Sequence, residues 1–178
     1  TVYPQIMLTN SHDGKNSFQF QAGLYRMICS NGLVIADEQF ESVKMRHMGY
    51  SFEDLQDMIK EMVGKLPLTV ESMNKMKAIE MAEEQILAFA KDALNARFTK
   101  KEMNRIEVDL KELTTPTRNE DKGSDLWSVF NVVQEKLIEG DFQYRAGGKV
   151  RQARVIKNFK QDMKINKKLF NVALEYAA

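Results

Sequence analysis

Nine positive charges crowd the last third of this 178-residue chain. Arg145, Lys149, Arg151, Arg154, Lys157, Lys160, Lys164, Lys167 and Lys168 fall within 24 residues, and Asp162 is the only acid among them. The segment carries +8; the whole chain carries +1, which leaves −7 for the rest. Arg151, Arg154, Lys157, Lys160 and Lys164 recur at intervals of three and four, which predicts a stripe along one helix face. Tyr144, Gly147 and Gly148 stand just ahead of it and predict an aromatic-tipped basic turn. Stripes of this kind bind phosphate backbones, with an affinity that falls as salt rises. An aromatic tip can stack on an unpaired base. Two plainer readings compete. The stripe could be a solvated face, or it could dock on an acidic surface of another copy. Glu71, Glu80, Glu83, Glu84 and Asp92 would supply that surface.

Other residue types could do chemistry too. His12-Asp13 at a turn, with His47 and Cys29, could begin a zinc site, which needs three or four protein ligands. The competing reading makes Asp13 a turn residue, His12 a backbone cap and Cys29 a small core hydrophobe. Cys29 with His47 would be a nucleophile and its base. Asp13, Glu120, Asp121 and Asp125 are the best carboxylate set for a metal-dependent nuclease. Asp125 is more simply a helix cap, and Glu120 and Asp121 more simply solvated. There is no G-x-S-x-G, P-loop, H-E-x-x-H or dinucleotide glycine motif. A polar block of Arg118, Asp121, Asn131, Gln134 and Glu135 surrounds Trp127. Asn131, Gln134 and Glu135 share one helix face beside the apolar stripe. They either pin that helix to its neighbours or line a binding surface. Arg118 would pair with Asp121 or Asp125, and Trp127 would be half-buried.

The elements that must position these groups divide into strands first and helices second. Residues 1 to 9 predict a strand, with Pro4 favouring an edge or a strand start. Asp13-Gly14 and Asn31-Gly32 are turn signals. Phe18, Phe20 and Ala22 alternate with polar residues or glycine, a period of two. Leu33 to Ile35 and Ser42 to Met48 predict two further strands. Gly32 is expected at positive φ. Ser51 to Asp54 is a capping box, opening a helix that Gly64 and Pro67 should end. A second helix begins near Thr69 and runs to about Arg97 as one rod or two pieces, with Met73, Met76, Ile79, Ile86, Ala90 and Leu94 buried. Thr99 with Glu102 is another capping box. Met103, Ile106, Leu110 and Leu113 then predict a helical stripe, and with it a helical hairpin over 69–113. A loop follows to Gly123. Asp125 or Ser124 caps a helix with Leu126, Phe130, Val133 and Leu137 inside, ended by Gly140. A turn or hairpin follows at 142–148, and 150–162 and 165–176 are the last predicted helices.

Composition narrows the class. A single Cys excludes an internal disulfide framework and makes a cytosolic compartment the default. No apolar run approaches ~18 residues, so no membrane span is expected. No signal segment opens the chain. Thr1 is an odd first residue, and the native N-terminus is read as missing or trimmed.

Several words carry a resemblance. NSHDG, AGLYRMICSNGLVI, RHMGYS and TPTRNEDKGSDLWSVFNVVQEKLIEGDF, in that order, resemble the phage- and plasmid-related proteins grouped as domain of unknown function 932. They touch most of the span from Asn10 to Phe142. This chain has Asp141 where the family pattern would have a second glycine after Gly140. The resemblance implies a mobile-element genome and a DNA-related setting, and it brings no catalytic residue.

The expected fold is α+β in one domain over 1–178, with a small antiparallel sheet (1–48) packed against a C-terminal helical bundle. Phe18 and Phe20 would meet Phe130 and Leu137. The expected function is non-enzymatic nucleic-acid binding with single-stranded DNA preferred, without cofactor or metal. The binding residues would be Tyr144, Arg145, Lys149, Arg151, Arg154, Lys157, Lys160 and Lys164. A polar site of His12, Asp13, Arg118, Asp121, Asn131, Gln134 and Glu135 stands beside it. The alternatives are a self-associating or partner-docking module, including a homo-oligomer, and a metal-dependent nuclease. The compartment would be the cytoplasm, the host's if the protein is phage-encoded.

Overall fold

The computed structural model describes residues 2–9, 18–26, 43–45 and 51–178. The chain divides into two compact units, Thr1–Glu71 and Ser72–Ala178. His12, Asp13, Gly14, Cys29, Gly32, Leu33 to Ile35 and His47 lie outside the described residues.

The first unit contains an antiparallel sheet of β1 (Val2–Thr9), β2 (Phe18–Arg26) and β3 (Val43–Met45), in that order. Eight pairs, from Val2 opposite Arg26 to Thr9 opposite Gln19, set the β1–β2 register. Pro4 sits on β1, at one end of this strand order, opposite Leu24, a place where proline is tolerated. The side chains of these strands lie outside the described residues, and with them the expected packing of Phe18 and Phe20.

Helix α1 (Phe52–Lys77) opens with the predicted capping box: Asp54 N–H donates to Ser51 Oγ at 3.1 Å, and Ser51 N–H to Asp54 Oδ2 at 2.8 Å. It does not stop at Gly64 or Pro67. Proline removes one helical hydrogen bond, the one to the carbonyl four residues back. Here that is Val63, and Val63 and Pro67 are both exposed, so water can take the orphaned carbonyl. The break comes instead at 78–82. Met81 N–H donates to the Ser124 carbonyl and Leu126 N–H to the Ile79 carbonyl, at 3.0 and 2.8 Å, so the chain leaves helix to pair with the loop that ends at Asp125.

The second unit is built around one buried helix. α5 (Leu126–Glu139) presents apolar residues on every side, and Leu126, Phe130, Val133 and Leu137 are fully buried. A helix that is apolar all round belongs in a core. α2 (Glu83–Arg97), α4 (Leu110–Thr114) and α6 (Phe159–Tyr176) all pack on it. Phe130 stacks on Trp127 with ring centroids 5.7 Å apart and meets the edge of Phe170 at 6.0 Å. Trp127 is only 5% exposed, not half-buried. Asp125 caps α5 as expected, accepting from Ser128 N–H at 3.0 Å and from its hydroxyl at 2.6 Å.

Two helical predictions fail here, both because strands pair across the unit. The stripe from Met103 to Leu113 breaks into α3 (Lys100–Met103), β4 (Ile106–Val108) and α4. Ile106 and Val108 flank exposed Glu107, a period of two that β4 satisfies by pairing with β5 (Gln143–Ala146). The predicted helix over 150–162 is instead β6 (Lys149–Gln152), an extended connection at 153–158 and the start of α6. Gly147 and Gly148, at φ of 57° and 76°, form the two-residue turn that closes the β5–β6 hairpin. The sheet order is β4-β5-β6, which leaves β6 at an edge. Asn158 then caps α6, accepting from Gln161 N–H at 3.0 Å.

Candidate nucleic-acid interface

The basic segment is divided among three structures. Tyr144 pairs in register with Arg151, and Ala146 with Lys149, while Arg145 pairs with Val150. Cross-strand partners share a face and neighbours along a strand alternate. Tyr144, Lys149 and Arg151 therefore share one face of the sheet. Arg145 lies on the other, in register with Glu107. Arg154 and Lys157 follow in the extended connection, and Lys160 and Lys164 stand on α6. The single helical stripe predicted from their spacing does not form, because its first half is strand and connection.

The Tyr144 face borders an open groove of about 540 Å³. Lys149, Arg151 and Arg154 line it together with two residues that sequence reasoning missed, Arg97 and Phe98 at the end of α2. Phe98 meets the edges of Tyr144 and Phe142, with centroids 5.7 and 6.3 Å away. The Arg97 guanidinium lies over the rings of Phe98 and Phe142, at 5.8 and 5.4 Å. Its Nη1 donates to the Leu137 carbonyl, and its Nη2 to the Arg154 carbonyl at 2.5 Å. Burial pushes its pKa down from the ordinary value, partly opposed by Tyr144. Arg97 is thus part of the groove's frame. Its only sequence signal was a cation beside an aromatic at a helix end.

The connection at 153–158 is strapped across the end of α5. Ala153 N–H donates to the Phe142 carbonyl at 3.0 Å, and Ile156 N–H to the Ile138 carbonyl at 2.8 Å. Gln152 Nε2 donates to the carbonyls of Gly140 and Phe142, at 2.7 and 3.1 Å. Gly140 ends α5 at φ 72°, and a Cβ there would meet the Arg154 carbonyl carbon at 2.6 Å. Asp141, which replaces the expected second glycine, pairs with the buried Lys136 at 2.5 Å.

The polar block 118–135 is mostly an internal network. Asn131 Nδ2 donates to the Trp127 carbonyl at 2.6 Å. Gln134 Nε2 donates to Asn166 Oδ1 at 2.8 Å, and Asn166 Nδ2 to Asp162 Oδ1 at 2.9 Å. This chain of amides ties α5 to α6 inside the core, where Asn131, Gln134 and Asn166 are each 3% exposed or less. Burial raises the pKa of Asp162 above its ordinary value, against the hydrogen bond from Asn166 and with a contribution from Glu139. Arg118 pairs with Glu135 at 2.8 Å, and Asp121 is buried in the short 3-10 turn Asn119–Asp121. Of the carboxylates considered for metal chemistry, Asp125 is held as the α5 cap. Among the described residues no three His, Cys, Asp or Glu side chains gather at one point. Nor is any described helix long and apolar enough to cross a membrane.

A family model described as domain of unknown function (DUF932) matches residues 1–170. The chain belongs to the DUF932 family. Its words in 10–142 are those that carried the resemblance. This DUF932 chain is also similar to two proteins of Escherichia coli (strain K12), the UPF0380 proteins YafZ and YfjQ. Each is 32% identical over 171 residues, which cover 96% of this chain and 61% of the relative. The chain therefore spans less than two thirds of the length of these relatives. No solved structure matches it.

Proposed function

We propose that this chain is a non-enzymatic nucleic-acid-binding protein of a phage or related mobile element, and that it prefers single strands. The observation that carries the reading is an asymmetry of partners. Lys149, Arg151, Lys157, Lys160, Lys164 and Lys168 have no side-chain hydrogen bond or ion pair among the described residues, and all six are exposed. Three of the acids named for a docking surface have partners within the chain. Glu80 accepts from Ser124 Oγ at 2.6 Å, Glu83 faces Lys111 at 3.6 Å, and Asp92 accepts from Tyr176 Oη at 2.7 Å. These three belonged to the surface on which the basic segment of another copy would dock, so the self-docking reading loses ground.

The groove supports the same reading. Tyr144 and Phe98 offer aromatic surface beside three exposed cations, an arrangement that suits phosphates and unpaired bases. Two of the groove's polar side chains, Arg97 and Gln152, are held by main-chain carbonyls and turned away from base edges. Contacts to phosphate carry little sequence information, so binding is weakly sequence-dependent. The proposal puts the protein in the cytoplasm, the host's if it is phage-encoded.

The test is a fluorescence titration with labelled single- and double-stranded oligonucleotides at about 50 and 200 mM salt. Binding should be tighter to single strands and weaker at the higher salt. No binding by wild type at the lower salt, or undiminished binding by K149A/R151A/R154A, sinks the reading.

A further inference from the structure

The basic residues beyond the groove have a geometry of their own. On α6, Lys160, Lys164 and Lys168 are spaced by four, and all three are exposed. At 100° per residue they form one row on the side of the helix opposite Ile165, Leu169, Phe170 and Ala173, which are buried. The row is about 12 Å long. Asp162 does not interrupt it, because it turns toward the core and accepts from Asn166. The first acid to share the row's face is Glu175, two turns past Lys168.

Continuity of the chain joins this row to the groove. Arg154 lines the groove, and Lys157 follows it in the extended connection. Lys160 comes three residues later, just inside the helix that Asn158 caps. Three residues of chain reach at most about 10 Å. Each cation is therefore within a short step of the next from the groove to the middle of α6, and no described acid pairs with any of them.

We propose that the exposed lysine row of α6 is a second, phosphate-only section of the nucleic-acid site, taking the strand as it leaves the groove. The groove, with Tyr144 and Phe98, accommodates unpaired bases and their phosphates. Among the residues of α6 no aromatic falls on the row's face, since exposed Phe159 lies more than 90° round the helix from it, and the row meets the backbone alone. Affinity should then depend on strand length in a way that the groove by itself would not produce. The inference rests on the reading of the groove as a nucleic-acid site, and the test separates the two.

Labelled oligothymidylates of about 4, 8 and 16 nucleotides, within the span of known single-strand sites, are titrated into wild type, K160A/K164A/K168A and K149A/R151A/R154A. Wild type should bind more tightly as length grows. The α6 variant should bind the shortest strand within about twofold of wild type and lose at least about tenfold on the longest. Its salt slope on the longest strand should fall by up to about 2, from three phosphates at about 0.7 each. The groove variant should weaken at every length. If the α6 variant binds the longest strand like wild type, or weakens equally at all lengths, the second section does not exist and the groove reading stands. If wild type binds no strand, or the groove variant binds like wild type, the groove reading itself falls and takes the inference with it.

Discussion

Arg97 Nη2 donates to the main-chain carbonyl of Arg154, at 2.5 Å, while Arg154 itself is exposed. One arginine is fixed by the backbone of the other. The first is frame and the second is free to meet a ligand. Arg97→Ala should therefore lower stability by about 2 kcal/mol, since it leaves two carbonyls without a charged donor. Arg154→Ala should leave stability within about 0.5 kcal/mol of wild type. Urea denaturation of the two variants checks both expectations, and an Arg154→Ala loss equal to that of Arg97→Ala would contradict this division.

Arg145 and Arg151 separate two explanations of any binding. They lie on opposite faces of one hairpin, and only Arg151 borders the groove. Arg151→Ala should weaken single-strand binding and flatten its salt dependence by up to about 0.7. Arg145→Ala should do markedly less. Equal effects would mean that general positive charge, not the groove, attracts the ligand.

Tyr144→Ala should weaken single-strand binding by about 1 kcal/mol or more, a magnitude typical of lost stacking, and should change duplex binding less. The comparison is made by titration at one salt concentration. A duplex loss as large as the single-strand loss would remove stacking from the account.

Two glycines should respond to alanine with opposite signs. Gly140 sits at φ 72° with the backbone of Ala153 and Arg154 against it, so Gly140→Ala should cost more than about 1 kcal/mol. Gly64 lies in the interior of α1 with open space around its Cα, so Gly64→Ala should stabilise by about 0.5 to 1 kcal/mol. Thermal melts of the two variants give the signs directly.

Tyr176 predicts an alkaline weakness. Burial, the hydrogen bond to Asp92, and the charges of Asp92 and Glu175 push its pKa up to about 12 from 10.0. A folded pKa above the unfolded one means that its contribution to stability is whole below about 10 and lost as pH rises through about 12. Tyr176→Phe should lose stability less steeply than wild type over that window. Asp162 obeys the same sign at acid pH. Its contribution is complete below the ordinary carboxylate value and is lost above its raised folded value. Asp162→Asn keeps an acceptor for Asn166 and should gain stability relative to wild type as pH rises toward neutrality. Melting temperatures of wild type and the two variants across pH measure both effects.

The helix caps and the core helix were legible in the sequence, because their signals are local. Ser51 with Asp54, Thr99 with Glu102, and Asp125 each needs only its own first turn. The α5 stripe is long and periodic, and its Gly140 stop is a single residue. The failures came where a partner distant in sequence decides the outcome. Nothing near Ile106 says that β5 waits forty residues on, and nothing in Arg151–Lys164 reveals that the first half of a helical spacing is strand. The twin glycines at 147–148 gave the turn, but the length of the strand behind them is set by pairing with 143–146. The groove was half legible. Its cations and Tyr144 stood out by charge and type, whereas Arg97 and Phe98 enter only because α2 ends beside β5. Trp127 was misjudged because a helix apolar on all sides gives no outward face on which to place an indole.

The central position of α5 also orders events during synthesis. α2 and α4 precede it, but Phe130 rests on Phe170, and Asn166, which completes the hydrogen bond from Gln134, lies almost as far downstream. When the chain has emerged from the ribosome only through β6, every residue of α5 is outside and none of α6 is. Until the 24 residues from Ala153 to Tyr176 emerge as well, one whole flank of the most apolar helix is bare, a state in which nascent chains are prone to aggregate. Folding of the second unit therefore waits for the basic segment. The stretch that gives the protein its charge also brings the helix that closes its interior.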